Sequence, residues 1–219
     1  MGKTDLCIRL AHLFSAPIVN ADSRQVYREM KIGTARPDEA ELAQARFYFV
    51  GNLSITDYYS AARYEQDALR LLAELFRTSD YVILSGGSMM YVDAVVKGID
   101  DIPTVPDDIR AEMKQRLESE GLEALGDELK RLDPEYHAIV DLKNPRRVLH
   151  ALEICHSTGR TYTSFRVRAC KPRPFNIIKI GLNIPRPRLF ERINGRVDKM
   201  IAEGLVDEAR ELYPQRGLT

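Results

Sequence analysis

The residues at the start of the chain have the types and spacing of a phosphate-binding loop. Gly2, Lys3 and Thr4 match the last three positions of the pattern G-x-x-x-x-G-K-[ST]. In such a loop the glycine lets backbone N–H groups face an anion, the lysine reaches the terminal phosphates, and the threonine hydroxyl binds Mg²⁺. The earlier part of the pattern and the strand before it are not in this sequence. An ordinary helix start is therefore the alternative interpretation.

A second candidate is the carboxylate of Asp22, which follows a predicted strand. Ligands of α/β sheets bind at the carboxyl ends of parallel strands, so Asp22 is predicted to be a general base or an Mg²⁺ ligand. Capping of a helix is the alternative role for this Asp.

Ser88 follows Gly86 and Gly87 after another strand, and we expect it to hydrogen-bond a substrate at the same edge. A plain strand-to-helix turn is the alternative there.

The elements that position these residues alternate between helix and strand. Apolar spacing predicts helices over 4–14, 38–45 and 60–76, with another after the glycine turn at 86–87. Strands are predicted over 16–20, 47–50 and 81–84. This alternation indicates parallel βα units, and the predicted fold class is therefore α/β.

The pattern changes after residue 98, where helices are predicted over 107–119, 121–131 and 144–158 without an intervening strand. A strand over 175–183 is predicted to return to the sheet, followed by helices over 186–203 and 206–213. We therefore expect a core formed by 1–103 and 175–219, with a helical insertion over 104–174. The inward face of the 186–203 helix is predicted to consist of Leu189, Ile193, Val197, Met200 and Ile201.

The net charge of zero hides a basic block over residues 143–192, which carries 12 Lys/Arg and 2 Asp/Glu. Such a block is a candidate surface for phosphates or nucleic acid, and a solvated basic face is the alternative. Arg146 and Arg147 stand in the first turn of a predicted helix, where they oppose the helix dipole and favour an anionic partner. That partner is either a nucleic-acid backbone or a local carboxylate. Arg192 and Arg196, one turn apart, can clamp a diphosphate, or they are simple surface charges.

Composition excludes several other classes of protein. No apolar run approaches the roughly 20 residues of a membrane helix, and no secretory signal opens the chain, so we expect no membrane partner. The three cysteines are widely spaced and form no metal motif or plausible disulfide framework. A reducing cytoplasm is the expected location.

Taken together, the sequence resembles the family of tRNA dimethylallyltransferases, also called tRNA isopentenyltransferases. The matching motifs follow one another in the family's order over essentially all 219 residues. The most specific pair is DSRQVY at 22–27 and IGTARP at 32–37. The other motifs are GGSMMY at 86–91, Asp133 with Pro134, the run 146–153 with Gly159, and Arg192, Ile193 and Arg196.

The resemblance implies a P-loop-like core that transfers a prenyl group instead of a phosphoryl group. Dimethylallyl diphosphate binds in the loop, and its prenyl group moves to N6 of the adenosine just 3′ of the anticodon. The tRNA anticodon stem-loop is held between the core and the helical insertion, with the target base flipped out. Mg²⁺ is the implied cofactor.

The resemblance also assigns roles to individual residues. Asp22 accepts the proton or hydrogen bond of the adenine amine, and preorganised cations neutralise the leaving diphosphate. Those cations are Lys3, Arg196, Arg147 and the Mg²⁺ held by Thr4, with Gly2 completing the diphosphate site. The residues implied to contact tRNA are Asp22, Ser23, Arg24, Gln25, Ser88, Arg110, Arg146, Arg147, Val148, Leu149 and His150.

Two other functions compete with this one. A P-loop kinase for small molecules or nucleosides would keep Gly2, Lys3, Thr4 and an Asp near the phosphates, but it would not need the basic block. A non-catalytic RNA-binding module would keep its RNA affinity after Asp22→Ala with no chemistry lost, whereas the family activity predicts nearly intact affinity and a rate that falls by orders of magnitude. Members of the family have a strand before the loop and continue beyond residue 219, so we expect this chain to be a fragment that is inactive and poorly folded alone. We also expect a monomer.

Overall fold

The computed structural model describes residues 2–167 and 170–217. The chain divides into two units, one formed by Met1–Gly98 with Lys171–Thr219 and the other by Ile99–Cys170. The boundaries expected from the sequence, 104 and 174, each lie a few residues later. Arg168, which belongs to the basic block, lies outside the described residues.

The first unit contains a small parallel sheet. Its strands are β1 (Ile18–Asn20), β2 (Phe47–Tyr48) and β3 (Ile83–Ser85), arranged in the order β2-β1-β3. Both pairings are parallel, and Ile18 lies opposite Phe47 on one side and Ile83 on the other. All three residues of β1 are buried, as expected for a central strand covered on both faces. The α/β class is confirmed, and the strands predicted over 16–20, 47–50 and 81–84 are present as shorter segments, the last of which ends one residue later, at Ser85.

Four helices accompany the sheet: α1 (Lys3–Phe14), α2 (Glu39–Leu42), α3 (Ala61–Leu75) and α4 (Met89–Val96). The hydroxyl of Ser60 caps α3 by accepting the N–H of Arg63. The buried residues of α3 include Tyr64, Ala68 and Leu72, whose spacing of four is that of one helical face. The hydroxyl of Tyr64 donates a 2.9 Å hydrogen bond to the carbonyl of Asn20, which fastens α3 to β1.

The second unit is helical. Its helices are α5 (Asp107–Leu132), α6 (Pro134–His137) and α7 (Pro145–Thr158), followed by a 3-10 turn at Tyr162–Phe165. Gly121 interrupts α5 with φ 84° and ψ 165°, so the two helical segments predicted there meet at a kink. Asp133, 1% exposed, accepts hydrogen bonds from Tyr136 and Thr163, and this explains the Asp-Pro motif as a structural one.

The chain then returns to the first unit, where the strand predicted over 175–183 is wrong. No strand is assigned there among the described residues, and Ile178 and Ile180 are 82% and 65% exposed. Its alternating apolar residues match a strand pattern, but alternation alone does not select a pairing partner, and in the described sheet β3 is paired only with β1. Only Phe175 reaches the core, stacked on Phe76 at 5.6 Å.

Two helices end the described chain, α8 (Arg186–Ala202) and α9 (Leu205–Leu212). The expectation that one face of α8 is buried is wrong for Ile193, Val197 and Ile201, which are 39%, 43% and 54% exposed. Amphipathic spacing identifies a face that can be buried, but not whether another element covers it. In the part of the chain that the structure describes, no helix is both long and apolar enough to cross a membrane.

Candidate functional site

The candidate site lies where β1 and β3 end side by side. The N–H of Ala21 donates to the Ser85 carbonyl at 2.8 Å, and the N–H of Ser88 donates to the Ala21 carbonyl at 3.2 Å. Between them Gly86 lies so close to Ala21 that a side-chain methyl would overlap the Ala21 carbonyl. This close approach requires glycine and brings Asp22 and Ser88 to the same edge of the sheet, as predicted for parallel strands.

Asp22 uses one carboxylate oxygen for the local turn and directs the other toward the glycines. Its Oδ1 accepts the N–H groups of Arg24 at 2.9 Å and Gln25 at 3.3 Å. Asp22 therefore caps a turn and not a helix. A methyl group placed on Gly87 would lie 2.8 Å from Asp22 Oδ2 and 3.9 Å from Lys3 Nζ. The second carboxylate oxygen and the lysine ammonium thus border the same small space.

Positively charged groups lie near the amino end of α1. Lys3 is the first residue of α1, and its Nζ donates to the Gly86 carbonyl at 3.0 Å. Gly2 caps α1 in the left-handed conformation, and a methyl group on it would lie 3.6 Å from Nη1 of Arg192. The amino end of α1, an ammonium and a guanidinium are therefore neighbours, an arrangement that favours an anion. Thr4 follows Lys3 in the first turn and is partly buried.

The residues after Asp22 are held by short polar contacts. The Ser88 hydroxyl accepts the N–H of Ser23 at 2.8 Å and donates to the Ser23 hydroxyl at 2.9 Å. The side-chain amide of Gln25 donates to the carbonyls of Thr34 and Ala35, both at 3.0 Å. The two most specific motifs of the sequence, 22–27 and 32–37, are thus joined directly, while Arg24 is exposed.

The remaining predicted tRNA contacts belong to the second unit. Arg110 lies on α5, and Arg146 and Arg147 are exposed at the start of α7, whose cap Asn144 accepts the N–H of Arg147 at 3.3 Å. Also on α7, Leu149 is partly buried and His150 is exposed.

Val148 requires a correction. It is 0% exposed and packs in the core of the second unit with Met113, Leu125 and Leu152. A contact between the Val148 side chain and RNA is therefore wrong for this conformation, because helix periodicity turns every third or fourth residue of α7 inward.

The basic block is also not one uniform surface. Arg173 is buried in an ion pair with Glu65, with 2.6 Å between Nη2 and Oε1 and side-chain exposures of 7% and 8%. Within the second unit, the guanidinium of Arg166 lies 5.0 Å from the ring centre of Tyr136. A count of positive residues does not show which of their side chains are buried. The interpretation of the whole block as a binding surface is therefore wrong for Arg173.

Sequence reasoning missed one residue that bears on the site, Glu208 of α9. Its carboxylate accepts three backbone N–H groups from residues 31–33, at 2.7–2.9 Å. No local pattern marks Glu208, because its partners lie about 175 residues earlier.

Comparisons of this chain with known proteins all indicate the same family. The profile of the family described as IPP transferase matches residues 25–219. The tRNA dimethylallyltransferase 1 of Phocaeicola vulgatus is 59% identical over 218 residues, which span 100% of this chain and 73% of that protein. The corresponding protein of Bacteroides thetaiotaomicron is 58% identical, and the match spans 71% of its length.

Solved structures agree with this result. The full-length tRNA isopentenylpyrophosphate transferase of Bacillus halodurans is 35% identical with a TM-score of 0.62, and the match covers 98% of this chain and 67% of that one. A eukaryotic dimethylallyltransferase acting on tRNA has a TM-score of 0.76, and the match covers 98% of this chain and 53% of that one. Its 24% identity makes it a likeness of fold.

Proposed function

This chain belongs to the IPP transferase family, and we propose that it transfers a dimethylallyl group from dimethylallyl diphosphate to tRNA. The acceptor is N6 of the adenosine immediately 3′ of the anticodon, and diphosphate is released. The observation that carries the proposal is the convergence of Asp22 Oδ2 and Lys3 Nζ on the space beside Gly87. A proton acceptor and a phosphate-binding cation therefore border the same space, where the acceptor amine and the prenyl donor would meet.

The acceptor side of the reaction needs a base. The adenine N6 forms a bond to the first carbon of the dimethylallyl group while the bond from that carbon to the diphosphate oxygen breaks. An exocyclic adenine amine is a poor nucleophile, so a carboxylate that accepts its hydrogen bond and then its proton lowers the barrier. Asp22 is suited to this role because its Oδ1 is fixed by Arg24 and Gln25, which leaves Oδ2 directed at the site.

The donor side needs positive charge, because the leaving diphosphate gains negative charge in the transition state. Lys3 and the amino end of α1 supply fixed charge, and the guanidinium of Arg192 lies beside Gly2. Arg196 lies four residues after Arg192 on α8 and therefore on the same face of that helix. The match of Gly2, Lys3 and Thr4 to the end of a P-loop pattern supports the proposal that this end of α1 binds the diphosphate.

Magnesium fits the donor set at this place. Mg²⁺ is bound in proteins by one or two hard oxygen ligands together with substrate phosphates, and the Thr4 hydroxyl in the first turn of α1 is such a ligand. When bound, Mg²⁺ would neutralise charge on the diphosphate as it leaves. Thr4 would hold the ion, while Lys3 and Arg192 contact phosphate oxygens.

The tRNA side is proposed to use both units. In the first unit, Ser23, Arg24 and Gln25 adjoin Asp22 and can hold the flipped base and its neighbours. In the second unit, Arg146 and Arg147 are exposed at the start of α7 and can contact loop phosphates. Cys7, Cys155 and Cys170 are free thiols, which is typical of the reducing cytoplasm that we propose as the location.

Family membership does not favour the kinase interpretation, and a direct experiment separates the two. The protein is incubated with radiolabelled dimethylallyl diphosphate, Mg²⁺ and an anticodon stem-loop RNA that carries an adenosine at the position 3′ of the anticodon. In place of the inactivity expected from the sequence, we now expect label in the RNA, because Asp22 and Lys3 border one space in this chain. No label is expected when that adenosine is replaced by guanosine. Unlabelled RNA together with ATP consumption on a hydroxyl acceptor would instead support a kinase.

A further inference from the structure

The carboxylate of Glu208 occupies a backbone anion site in the first unit. Its Oε2 accepts the N–H groups of Lys31 at 2.8 Å and Ile32 at 2.7 Å, and its Oε1 accepts that of Gly33 at 2.9 Å. Successive N–H groups that point at one anion form a nest, an arrangement that binds phosphates and carboxylates. Three charge-assisted hydrogen bonds therefore fasten α9 to the segment 31–36.

Close packing around Gly33 adds to the contact between α9 and the segment 31–36. A methyl group on Gly33 would lie 3.2 Å from Cδ1 of Leu205 and 3.3 Å from Oε1 of Glu208. Such distances are tight, so a side chain at position 33 would push the Leu205 and Glu208 side chains aside by a few tenths of an ångström. Glycine at this position of the 32–37 motif therefore favours the close packing of α9 on the segment.

The segment held by Glu208 in turn holds the residues around the proposed base. The carbonyls of Thr34 and Ala35 each accept a 3.0 Å hydrogen bond from the side chain of Gln25. The backbone N–H of Gln25 donates to Oδ1 of Asp22 at 3.3 Å. A continuous series of contacts thus runs from the α9 carboxylate to the Asp22 carboxylate.

We propose that Glu208 is a positioning residue that sets the geometry of Gln25 and Asp22 through the segment 31–36. This inference rests on the proposed function, since it assigns Glu208 to the acceptor side of prenyl transfer. The hydrogen bonds of Glu208 go to the backbone of residues 31–33, whereas the cations of the proposed diphosphate site lie on α1 and α8. Loss of Glu208 is therefore expected to impair use of RNA and to spare binding of the prenyl donor.

Two substitutions separate the charge of Glu208 from its volume. Glu208→Gln keeps the size but turns one acceptor oxygen into an NH₂ donor, which faces backbone donors and repels them. Glu208→Ala empties the nest, so a small carboxylate added to the buffer can enter it. Glu211→Gln is the matched control, because Glu211 is an exposed acid on the same helix.

The experiment measures steady-state prenyl transfer and backbone amide exchange for the wild type and these three variants. For Glu208→Ala and Glu208→Gln we expect kcat/KM for the RNA to fall about tenfold, with KM for dimethylallyl diphosphate within twofold of wild type. Amide exchange of residues 31–36 is expected to become at least tenfold faster. Acetate is expected to recover activity in Glu208→Ala but not in Glu208→Gln, while Glu211→Gln matches the wild type.

Wild-type kinetics in both Glu208 variants, or an equal loss on the donor and RNA sides, would overturn the inference. Unchanged amide exchange at 31–36 would overturn it as well. If the wild type itself transfers no prenyl group, the proposed function fails. Amide exchange and its response to acetate then still decide whether Glu208 holds the segment.

Discussion

The buried pair of Arg173 and Glu65 gives a quantitative prediction about stability. The guanidinium donates to Glu65 Oε1 at 2.6 Å and to the carbonyls of Ala94 and Val95, near the end of α4, at 2.7 and 2.8 Å. Removing one partner of a buried ion pair costs about 3–5 kcal/mol. Because Lys171 Nζ lies 3.9 Å from the same carboxylate oxygen, it offsets part of the loss, and we expect about 3 kcal/mol for Arg173→Met.

The assay is urea unfolding followed by circular dichroism, with Arg188→Met as the matched control. Arg188 belongs to the same basic block but is exposed on α8, so its loss is expected to change the free energy of unfolding by less than about 0.5 kcal/mol. In a chain of this size about 3 kcal/mol corresponds to a fall in Tm of roughly 6–12 °C. Replacing Glu65 by Met as well should recover at least about 1 kcal/mol, since no buried charge then lacks its partner.

Equal stability of Arg173→Met and Arg188→Met would refute this reasoning. The same holds if Arg173→Met weakened RNA binding at unchanged stability, since Arg173 would then belong to a binding surface and not to the interior.

Two further predictions concern the sheet edge and the second unit. Gly86→Ala is expected to destabilise the first unit by about 3 kcal/mol, because its methyl would overlap the Ala21 carbonyl, whereas Gly181→Ala has open space and should be neutral in the same urea assay. Burial raises the pKa of Glu128, but hydrogen bonds from Arg116 and His156 outweigh this effect and hold that pKa below the ordinary 4.5. Because this pKa is lower in the folded than in the unfolded protein, the Glu128 carboxylate stabilises the fold above pH 4.5. That stabilisation is lost as the pH falls through the pKa of the folded protein. Acid titration should therefore show less loss of stability for Glu128→Gln, and an unchanged acid response would contradict the assignment.

Local patterns are enough to predict the α/β class, most of the helices and the edge where Asp22, Ser88 and Lys3 meet, but they do not predict the short helix α6. The correct predictions depend on short-range periodicity and on the rule that parallel strands end together. The strand predicted over 175–183 is wrong because alternation of apolar residues does not specify which neighbouring strand, if any, the segment pairs with. Ile178 has the right residue type and alternation, yet it is 82% exposed.

The same limit applies to charged residues. Arg173 and Arg188 look alike in a sequence, but one is buried against Glu65 and the other is exposed. Glu208 gave no signal at all, since its three partners are backbone N–H groups, which any residue except proline provides. Site residues that act through the backbone of a distant segment are therefore found only once the fold is known.

The most direct test of the account is single-turnover prenyl transfer by Asp22→Asn. Asparagine keeps an oxygen that can accept the N–H groups of Arg24 and Gln25, so the turn is preserved while the base is removed. We predict that the rate falls by at least about 10²-fold, the range expected for loss of a general base, with RNA affinity within twofold of wild type. A rate equal to that of the wild type would contradict the assignment of Asp22 as the proton acceptor.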